Sequence, residues 1–118
     1  MKRVLIAEDN DGNYTLMTYI LKKHYDYFRA HDGQEAVDMV KEELPDAILM
    51  DLKLPIQDGL AATRQLKVTY PDIPIIAVTA NAFETDRQMA LEAGCDDYLT
   101  KPINPEQLLN TIAKFIGE

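Results

Sequence analysis

The stretch AILMDLKLP, residues 47–55, is an apolar run that ends abruptly at an aspartate. Residues 47–50 show no alternation of polar and apolar side chains, which is typical of a strand buried on both faces. Asp51 therefore stands where this strand leaves the core. In an open α/β sheet, ligands bind at the edge outside the carboxyl ends of the strands. The run thus predicts a functional carboxylate at a fixed place in the fold.

The length of 118 residues predicts a single domain, residues 1–118, that buries roughly two thirds of the surface of its unfolded chain. The net charge of −8, from 20 acidic and 12 basic residues, argues against binding to nucleic acid or to an anionic membrane. No apolar stretch approaches the ~20 residues of a membrane span, and the start does not resemble a signal peptide. The single cysteine, Cys95, excludes an internal disulfide and favours a packing role. We therefore expect a cytoplasmic protein.

Short apolar runs alternate with amphipathic stretches along the whole chain, which predicts βα units and a parallel sheet. The predicted strands are 4–7, 25–30, 47–50, 73–78 and 97–100. The second and fifth runs are more polar than the others, as expected for strands at the edges of a sheet. We expect an α/β fold: a three-layer (βα)5 doubly wound parallel sheet of strand order 2-1-3-4-5, the flavodoxin-like arrangement.

The helices are marked by apolar stripes and by residues that favour helix ends. The fourth helix is predicted over 84–93, with Gly94 as the left-handed residue that ends it. The N-caps expected for the second, third and fifth helices are Asp32, Asp58 and Asn104, the last followed by Pro105. The inward stripe expected for the first helix consists of Leu16, Met17, Ile20 and Leu21.

Polar residues follow four of the predicted strands: Glu8 and Asp9, Asp51, Thr79, and Lys101. Because the carboxyl ends of parallel strands share one edge of the sheet, these residues are expected to meet there. Three carboxylates at one place repel one another unless a cation lies among them. Mg²⁺ prefers oxygen ligands and is commonly bound by one or two carboxylates together with a phosphate oxygen. The pattern predicts a magnesium site.

Thr79 and Lys101 extend this site toward a phosphoryl group. A metal ion and an ammonium group neutralise the charge on phosphoryl oxygens, and a hydroxyl group donates to another oxygen. The nearest carboxylate then attacks the phosphorus in line. Asp51 is the predicted nucleophile because it ends the central strand, and the predicted product is an aspartyl phosphate.

Over essentially all of its length the chain resembles the receiver domain of two-component response regulators. Each motif is weak alone, but the set is specific in combination. The motifs that carry the resemblance are Glu8-Asp9, Asp51-x-x-x-Pro55-x-x-Asp58-Gly59, Thr79-Ala80 and Asp97-Tyr98-x-x-Lys101-Pro102.

The resemblance implies roles for these residues. Glu8 and Asp9 position Mg²⁺ together with Asp51, which takes the phosphoryl group from a histidine, and Lys53 adds its backbone carbonyl as a metal ligand. Glu8 replaces the commoner Asp of the acid pair, which would leave its metal contact bridged by water. Lys53 also places a second cation beside the site.

Thr79 and Lys101 contact the bound phosphoryl group in this family, and the Lys101-Pro102 peptide is expected to be cis. Tyr98 matches an aromatic residue that changes rotamer together with Thr79. The implied function is a phosphorylation-dependent switch with slow autodephosphorylation.

The implied partners are a sensor histidine kinase or a histidine phosphotransfer protein, which we expect to meet the first helix. A homodimer or a downstream effector would use the face formed by the fourth helix, the fifth strand and the fifth helix. The segments 81–87 and 92–98 look most like receivers of hybrid histidine kinases. Both a stand-alone regulator and a part of a hybrid kinase fit the sequence.

Two other functions fit the same fold. A magnesium phosphohydrolase of the aspartyl-phosphate type needs a second acid two residues after the nucleophile, where this chain has Lys53. A flavodoxin-like cofactor binder needs a Ser/Thr/Gly-rich loop after the first strand, where this chain has an acid pair. Taken alone, residues 8–11 also fit a simple helix start with favourable acids. His24 and His31 have no evident partner in the sequence, so we expect neither a metal nor a phosphohistidine role for them.

Overall fold

The computed structural model describes residues 1–80 and 83–117. Asn81 and Ala82, which belong to the segment resembling hybrid-kinase receivers, lie outside the described residues. All strand pairs are parallel, and the strand order is 2-1-3-4-5, as predicted. The strands are β1 (Arg3–Ala7), β2 (Asp26–Ala30), β3 (Ala47–Asp51), β4 (Ile75–Thr79) and β5 (Asp97–Thr100).

Helices cover both faces of the sheet, which gives the three predicted layers. On one face, side chains of α1 and α5 form a core with Val4, Ile6 and Leu49. On the other face, side chains of α2, α3 and α4 pack against Leu5 and Ile48. Among the described residues, no helix is long and apolar enough to cross a lipid bilayer. The helices are α1 (Asp11–Leu21), α2 (Gly33–Glu43), α3 (Gly59–Thr69), α4 (Glu84–Ala93) and α5 (Pro105–Ile116).

The central strand β3 is buried along its whole length, as its uninterrupted apolar sequence predicts. Ile48 and Met50 point into one core and Leu49 into the other, because successive side chains of a strand face opposite sides. Asp51 is the last residue of this strand and remains almost fully buried. The strand therefore delivers one carboxylate to the C-terminal edge of the sheet.

The predicted helix ends are also confirmed. Asp32, Asp58 and Asn104 each accept a hydrogen bond from the backbone N–H three residues ahead, at 2.7, 2.8 and 2.9 Å. Gly94 ends α4 with a φ of 110°, a conformation that a residue with a Cβ rarely adopts.

Several details differ from the sequence prediction, among them that β1 begins at Arg3 and that β3 and β4 end one residue later, at Asp51 and Thr79. β4 begins at Ile75 rather than at Ile73, since the Ile73 N–H bonds Tyr70 O in the preceding turn. β2 begins one residue later than predicted, at Asp26. Leu16 was expected on the inward stripe of α1 but is 39% exposed, because it lies at the margin of a stripe that buries Met17 and its neighbours.

Candidate functional site

The C-terminal edge of the sheet brings together the polar residues that follow its strands. Glu8 and Asp9 follow β1, Asp51 and Thr79 end β3 and β4, and Lys101 follows β5. β1 and β4 flank β3, so Asp51 lies between the acid pair and Thr79. This is also the place where the strand order reverses, the position at which ligands bind in open α/β sheets.

Glu8, Asp9 and Asp51 form an acidic cluster whose carboxylate oxygens, one from each residue, lie within 4.8 Å of one another. Glu8 and Asp51 are buried, whereas Asp9 is exposed. The cluster thus has two carboxylates at its base and one open to solvent. Hard oxygen donors, with solvent on one side to supply water ligands, are the donor set that suits Mg²⁺.

Lys101 is the basic group in contact with this cluster. Its Nζ lies 2.9 Å from Glu8 Oε1 and 3.2 Å from Asp51 Oδ2. Glu8 Oε1 is fully buried and makes no well-aligned hydrogen bond within the described residues. The ion pair with Lys101 therefore compensates for the burial of its charge. One ammonium group against three carboxylates leaves a formal charge of −2, and a divalent cation would balance that charge.

The electrostatic environment of the site shifts the pKa values of Glu8 and Lys101. Burial, reinforced by the neighbouring Asp51, raises the pKa of Glu8 to about 7, although Lys101 opposes the shift. Burial alone would lower the pKa of Lys101, but its contacts with Glu8 and Asp51 outweigh burial and raise it. The metal-free site therefore holds Lys101 charged and Glu8 close to its titration point at neutral pH.

Asp51 is fixed in direction through both of its carboxylate oxygens. Oδ1 accepts a hydrogen bond from the backbone N–H of Lys53 at 3.0 Å, and Oδ2 accepts one from Lys101 Nζ at 3.2 Å. The start of α3 packs against the backbone of Asp51 and Leu52, because the N–H of Gly59 donates to Leu52 O at 3.0 Å. A Cβ on Gly59 would lie 2.1 Å from Asp51 O, so only glycine permits this approach.

Thr79 and Lys101 are joined through the backbone. The N–H of Lys101 donates to Thr79 O at 2.7 Å, and the Lys101-Pro102 peptide bond is cis. Thr79 is buried at the end of β4, next to the strand that carries Asp51. The hydrogen bond holds the backbones of Thr79 and Lys101 together, and Lys101 Nζ in turn contacts Asp51.

Tyr98 lies on β5, partly buried against the core that contains α4. Burial raises the pKa of its phenol, and the nearby charge of Asp86 raises it further. Phe83 precedes α4 and is 68% exposed. Tyr98 thus lies on the strand of the α4–β5–α5 face.

Arg29 contacts the site but was not singled out in the sequence. Its Nε donates to Glu8 O at 3.0 Å, and its Nη2 lies 2.9 Å from Asp11 Oδ1. The only indication in the sequence was a long basic side chain at the penultimate position of an edge strand. That signal was insufficient, because the acceptor is a backbone carbonyl, which carries no sequence information.

The loop after Asp51 contains a second unpredicted feature. Ile56 has a φ of 69°, and the N–H of Gln57 donates to Pro55 O at 2.8 Å. This three-residue turn is of the rare, strained type. Ile56 is exposed at its tip, so the loop beside the C-terminal edge of the sheet carries an apolar side chain in solvent.

The two histidines, His24 and His31, are not part of the acidic cluster found among the described residues. His31 Nδ1 is 3.1 Å from Glu35 Oε1, so the expectation that it has no partner is wrong. That contact is exposed and lies within one turn at the start of α2, where it supports the helix end.

Comparison with known proteins identifies the type of domain. A family model described as "Response regulator receiver domain" matches residues 4–113. The chain is 44% identical to hybrid signal transduction histidine kinase I of Dictyostelium discoideum, in an alignment that covers 99% of this chain. That alignment covers only 8% of the longer protein, so the chain spans a small part of this relative.

Two solved structures combine similarity of sequence and of fold. The receiver domain of sensor histidine kinase PA1611 from Pseudomonas aeruginosa, with a magnesium ion coordinated in its active site cleft, is 38% identical with a TM-score of 0.91. That match covers 99% of this chain and 98% of the other. The second is the co-crystal structure of the Saccharomyces cerevisiae histidine phosphotransfer protein Ypd1 and the receiver domain of Ssk1. It matches at 36% identity with a TM-score of 0.91, and the match covers 98% of this chain and 88% of the other.

Proposed function

The chain belongs to the response regulator receiver domain family of two-component phosphorelays, and on this basis we propose that Asp51 accepts a phosphoryl group from a phosphohistidine. The observation that carries the proposal is the position of Asp51. Its carboxylate is buried, directed by two hydrogen bonds, and close to the acid pair, and Lys101 contacts both Asp51 and Glu8.

We propose that Mg²⁺ is held by the carboxylates of Glu8, Asp9 and Asp51, with the backbone carbonyl of Lys53 as a further ligand. The acidic cluster supports this assignment, as does the magnesium ion in the related receiver of PA1611. When bound there, the ion would neutralise charge on the oxygens of the transferred phosphoryl group.

The chain's own residues would perform the transfer. A carboxylate oxygen of Asp51 attacks the phosphorus in line, a new O–P bond forms, and the P–N bond to histidine breaks with its electron pair returning to the nitrogen. Lys101 would exchange its contact with Asp51 Oδ2 for a phosphoryl oxygen. The hydroxyl of Thr79 would donate to another phosphoryl oxygen. Slow hydrolysis of the aspartyl phosphate then resets the switch.

The conformational output would pass from the site to the α4–β5–α5 face. Thr79 and Tyr98 lie on neighbouring parallel strands, β4 and β5. We propose that Thr79 turns toward the phosphoryl group and that Tyr98 changes rotamer with it. The half-buried ring of Tyr98, at the margin of the core, can then move without unpacking fully buried side chains. A homodimer or an effector would detect the altered face.

The phosphodonor would dock beside the site, on the first helix. Leu16 and Tyr19 are exposed on α1 and line a groove of about 350 Å³ that continues to Pro105 and Leu109 of α5. A largely apolar groove rimmed by lysines fits a helical protein surface. We propose a histidine kinase or a histidine phosphotransfer protein as this partner and the cytoplasm as the place of the reaction, with no role for nucleic acid or membrane.

Beryllium fluoride, a stable mimic of a phosphoryl group, tests the proposed acceptor site. In amide NMR spectra we expect it to shift the signals of the C-terminal edge only when Mg²⁺ is present. Asp51→Asn should remain folded, as judged by its unperturbed spectrum, and should not respond. A full response by Asp51→Asn, or rapid turnover of a free phosphoester by the protein, would contradict the proposal.

A further inference from the structure

Arg29, on the edge strand β2, is tied to the loop that carries the acid pair. Its Nε donates to the backbone carbonyl of Glu8 at 3.0 Å. Its Nη2 lies 2.9 Å from Asp11 Oδ1, in the first turn of α1. The same guanidinium group therefore holds the loop on both sides of Asp9.

The guanidinium group is itself held in place. Its carbon lies 4.3 Å from the centre of the Tyr14 ring, and Tyr14 packs edge-on against Tyr27 at 6.4 Å. The Arg29 side chain is only 16% exposed. A planar cation stacked on an aromatic ring loses little further freedom when it forms hydrogen bonds, which makes it a rigid support.

Two further hydrogen bonds hold the loop at Glu8 and Asn10. The N–H of Glu8 donates to Ala30 O at 3.0 Å, and the N–H of Asn10 donates to Glu8 Oε2 at 3.2 Å. Asp9 itself is exposed. The loop on both sides of Asp9 is thus held by these hydrogen bonds together with the two contacts of Arg29.

We infer that Arg29 is a positioning residue for divalent-cation binding, acting through the carbonyl of Glu8 and the carboxylate of Asp11. The inference rests on the proposed function, since it assumes that Glu8 and Asp9 bind the cation. Outer contacts of this kind orient the ligands that touch a metal, and their loss typically lowers metal affinity by about 10–100-fold.

The direction in which the Mg²⁺ affinity changes when Arg29 is replaced distinguishes a positioning role from a purely electrostatic one. Arg29 is a cation, so its removal by electrostatics alone would make the site more attractive to Mg²⁺. Loss of positioning has the opposite effect, because the loop must then be ordered when the ion binds. A weaker affinity after removal of a nearby positive charge is therefore specific to the positioning role.

The test is calorimetric titration of Mg²⁺ into the wild type and into Arg29→Met, which retains the aliphatic stem but not the hydrogen bonds. We expect the Kd for Mg²⁺ to rise about tenfold in Arg29→Met and less in Arg29→Lys. At saturating Mg²⁺, beryllium fluoride should still bind Arg29→Met to completion. Arg64→Met, at an exposed position on α3, is the matched control and should leave the Kd unchanged.

An unchanged or lower Kd in folded Arg29→Met would overturn the inference. If Arg29→Met proves unfolded, Tyr14→Leu removes the ring on which the guanidinium group stacks without changing the charge, and it should weaken Mg²⁺ binding in the same direction. An unchanged Kd in Tyr14→Leu would then count against the inference. If the wild type itself binds no Mg²⁺, the proposed function fails, a result distinct from a normal affinity in the variants.

Discussion

Lys101 Nζ and Glu8 Oε1 lie 2.9 Å apart, so the lysine of β5's C-terminal end is the counter-ion of a fully buried glutamate that follows β1. The same ammonium group reaches Asp51 Oδ2 at 3.2 Å. In the absence of a metal, Lys101 therefore compensates part of the charge that a divalent cation would balance. We therefore expect the Lys101 ammonium group and a bound Mg²⁺ to neutralise the same carboxylates, which stability measurements with and without Mg²⁺ can test.

Lys101→Met should destabilise the metal-free protein. A buried carboxylate that loses its charged partner costs about 1–3 kcal/mol, an amount that protonation of Glu8 would limit. Added Mg²⁺ should restore more of the free energy of unfolding in the variant than in the wild type, because the variant lacks any competing cation. Urea unfolding with and without Mg²⁺ measures both effects. Equal stabilisation of the two proteins by Mg²⁺ would show that the cations do not share the carboxylates.

Mg²⁺ binding should depend on pH near neutrality through Glu8. Burial raises the pKa of Glu8 to about 7, so the side chain is mostly protonated at pH 6 and mostly ionised at pH 8. Since the ion favours the carboxylate form, its affinity should rise with pH and level off above the pKa. Titrations across this range compare the wild type with Glu8→Gln, in which the slope should be largely lost. A slope of equal size in Glu8→Gln would assign the proton to another group.

The same pKa shift predicts the pH dependence of stability without metal. The pKa of Glu8 is higher in the folded protein than in the unfolded chain, so folding takes up a proton between about pH 4.5 and 7. The contribution of Glu8 to stability is fully present below this window and is lost as the pH rises through it. In chelator-containing buffer, the stability of Glu8→Gln relative to the wild type should therefore increase with pH. A constant difference in free energy of unfolding would contradict the shift.

Gly59→Ala should be severely destabilising. The new Cβ would lie 2.1 Å from Asp51 O and 2.7 Å from Leu52 Cα, and backbone atoms cannot move aside as a flexible side chain does. Forced overpacking of this kind costs about 1–3 kcal/mol or more. Gly12→Ala is the control: its Cβ would meet only the Asn10 side chain, at 3.3 Å, and a change within about 1 kcal/mol is expected. Equal effects in urea unfolding would show that the approach of α3 to Asp51 is not tight.

Cys95 should be unreactive in the folded protein. Burial raises the pKa of its thiol to about 11, and its Sγ lies 3.8 Å from Thr63 Oγ1 in the core. Because the thiolate is the reactive form, alkylation by iodoacetamide at pH 8 should be slow in the native state and fast in urea. Equal rates of modification in the two states would place Cys95 in solvent.

Much of the site follows from the sequence because one physical rule determines it. Parallel strands end on a common edge, so the residues after β1, β3, β4 and β5 were predicted to meet there. Asp51 could be assigned to the central strand since residues 47–50 are apolar on both faces. The predicted strand order places Glu8 and Asp9 beside Asp51, and the structure brings the three carboxylates together.

The remaining features depend on contacts that no sequence pattern encodes. Arg29 bonds a backbone carbonyl, and every residue has one. The φ of 69° at Ile56 is a conformation that a β-branched side chain disfavours, so propensity argues against it. Leu16 fits a helical apolar stripe by spacing, and only the packing of α1 decides that its side chain stays in solvent.

The most direct measurement is covalent phosphorylation by a small phosphodonor such as phosphoramidate, followed by peptide mass spectrometry. The account predicts one added phosphoryl group, attached to Asp51, formed only with Mg²⁺ and absent from Asp51→Asn. A phosphoryl group on another residue of the wild type, or equal labelling of Asp51→Asn, would contradict the assignment of Asp51 as the acceptor.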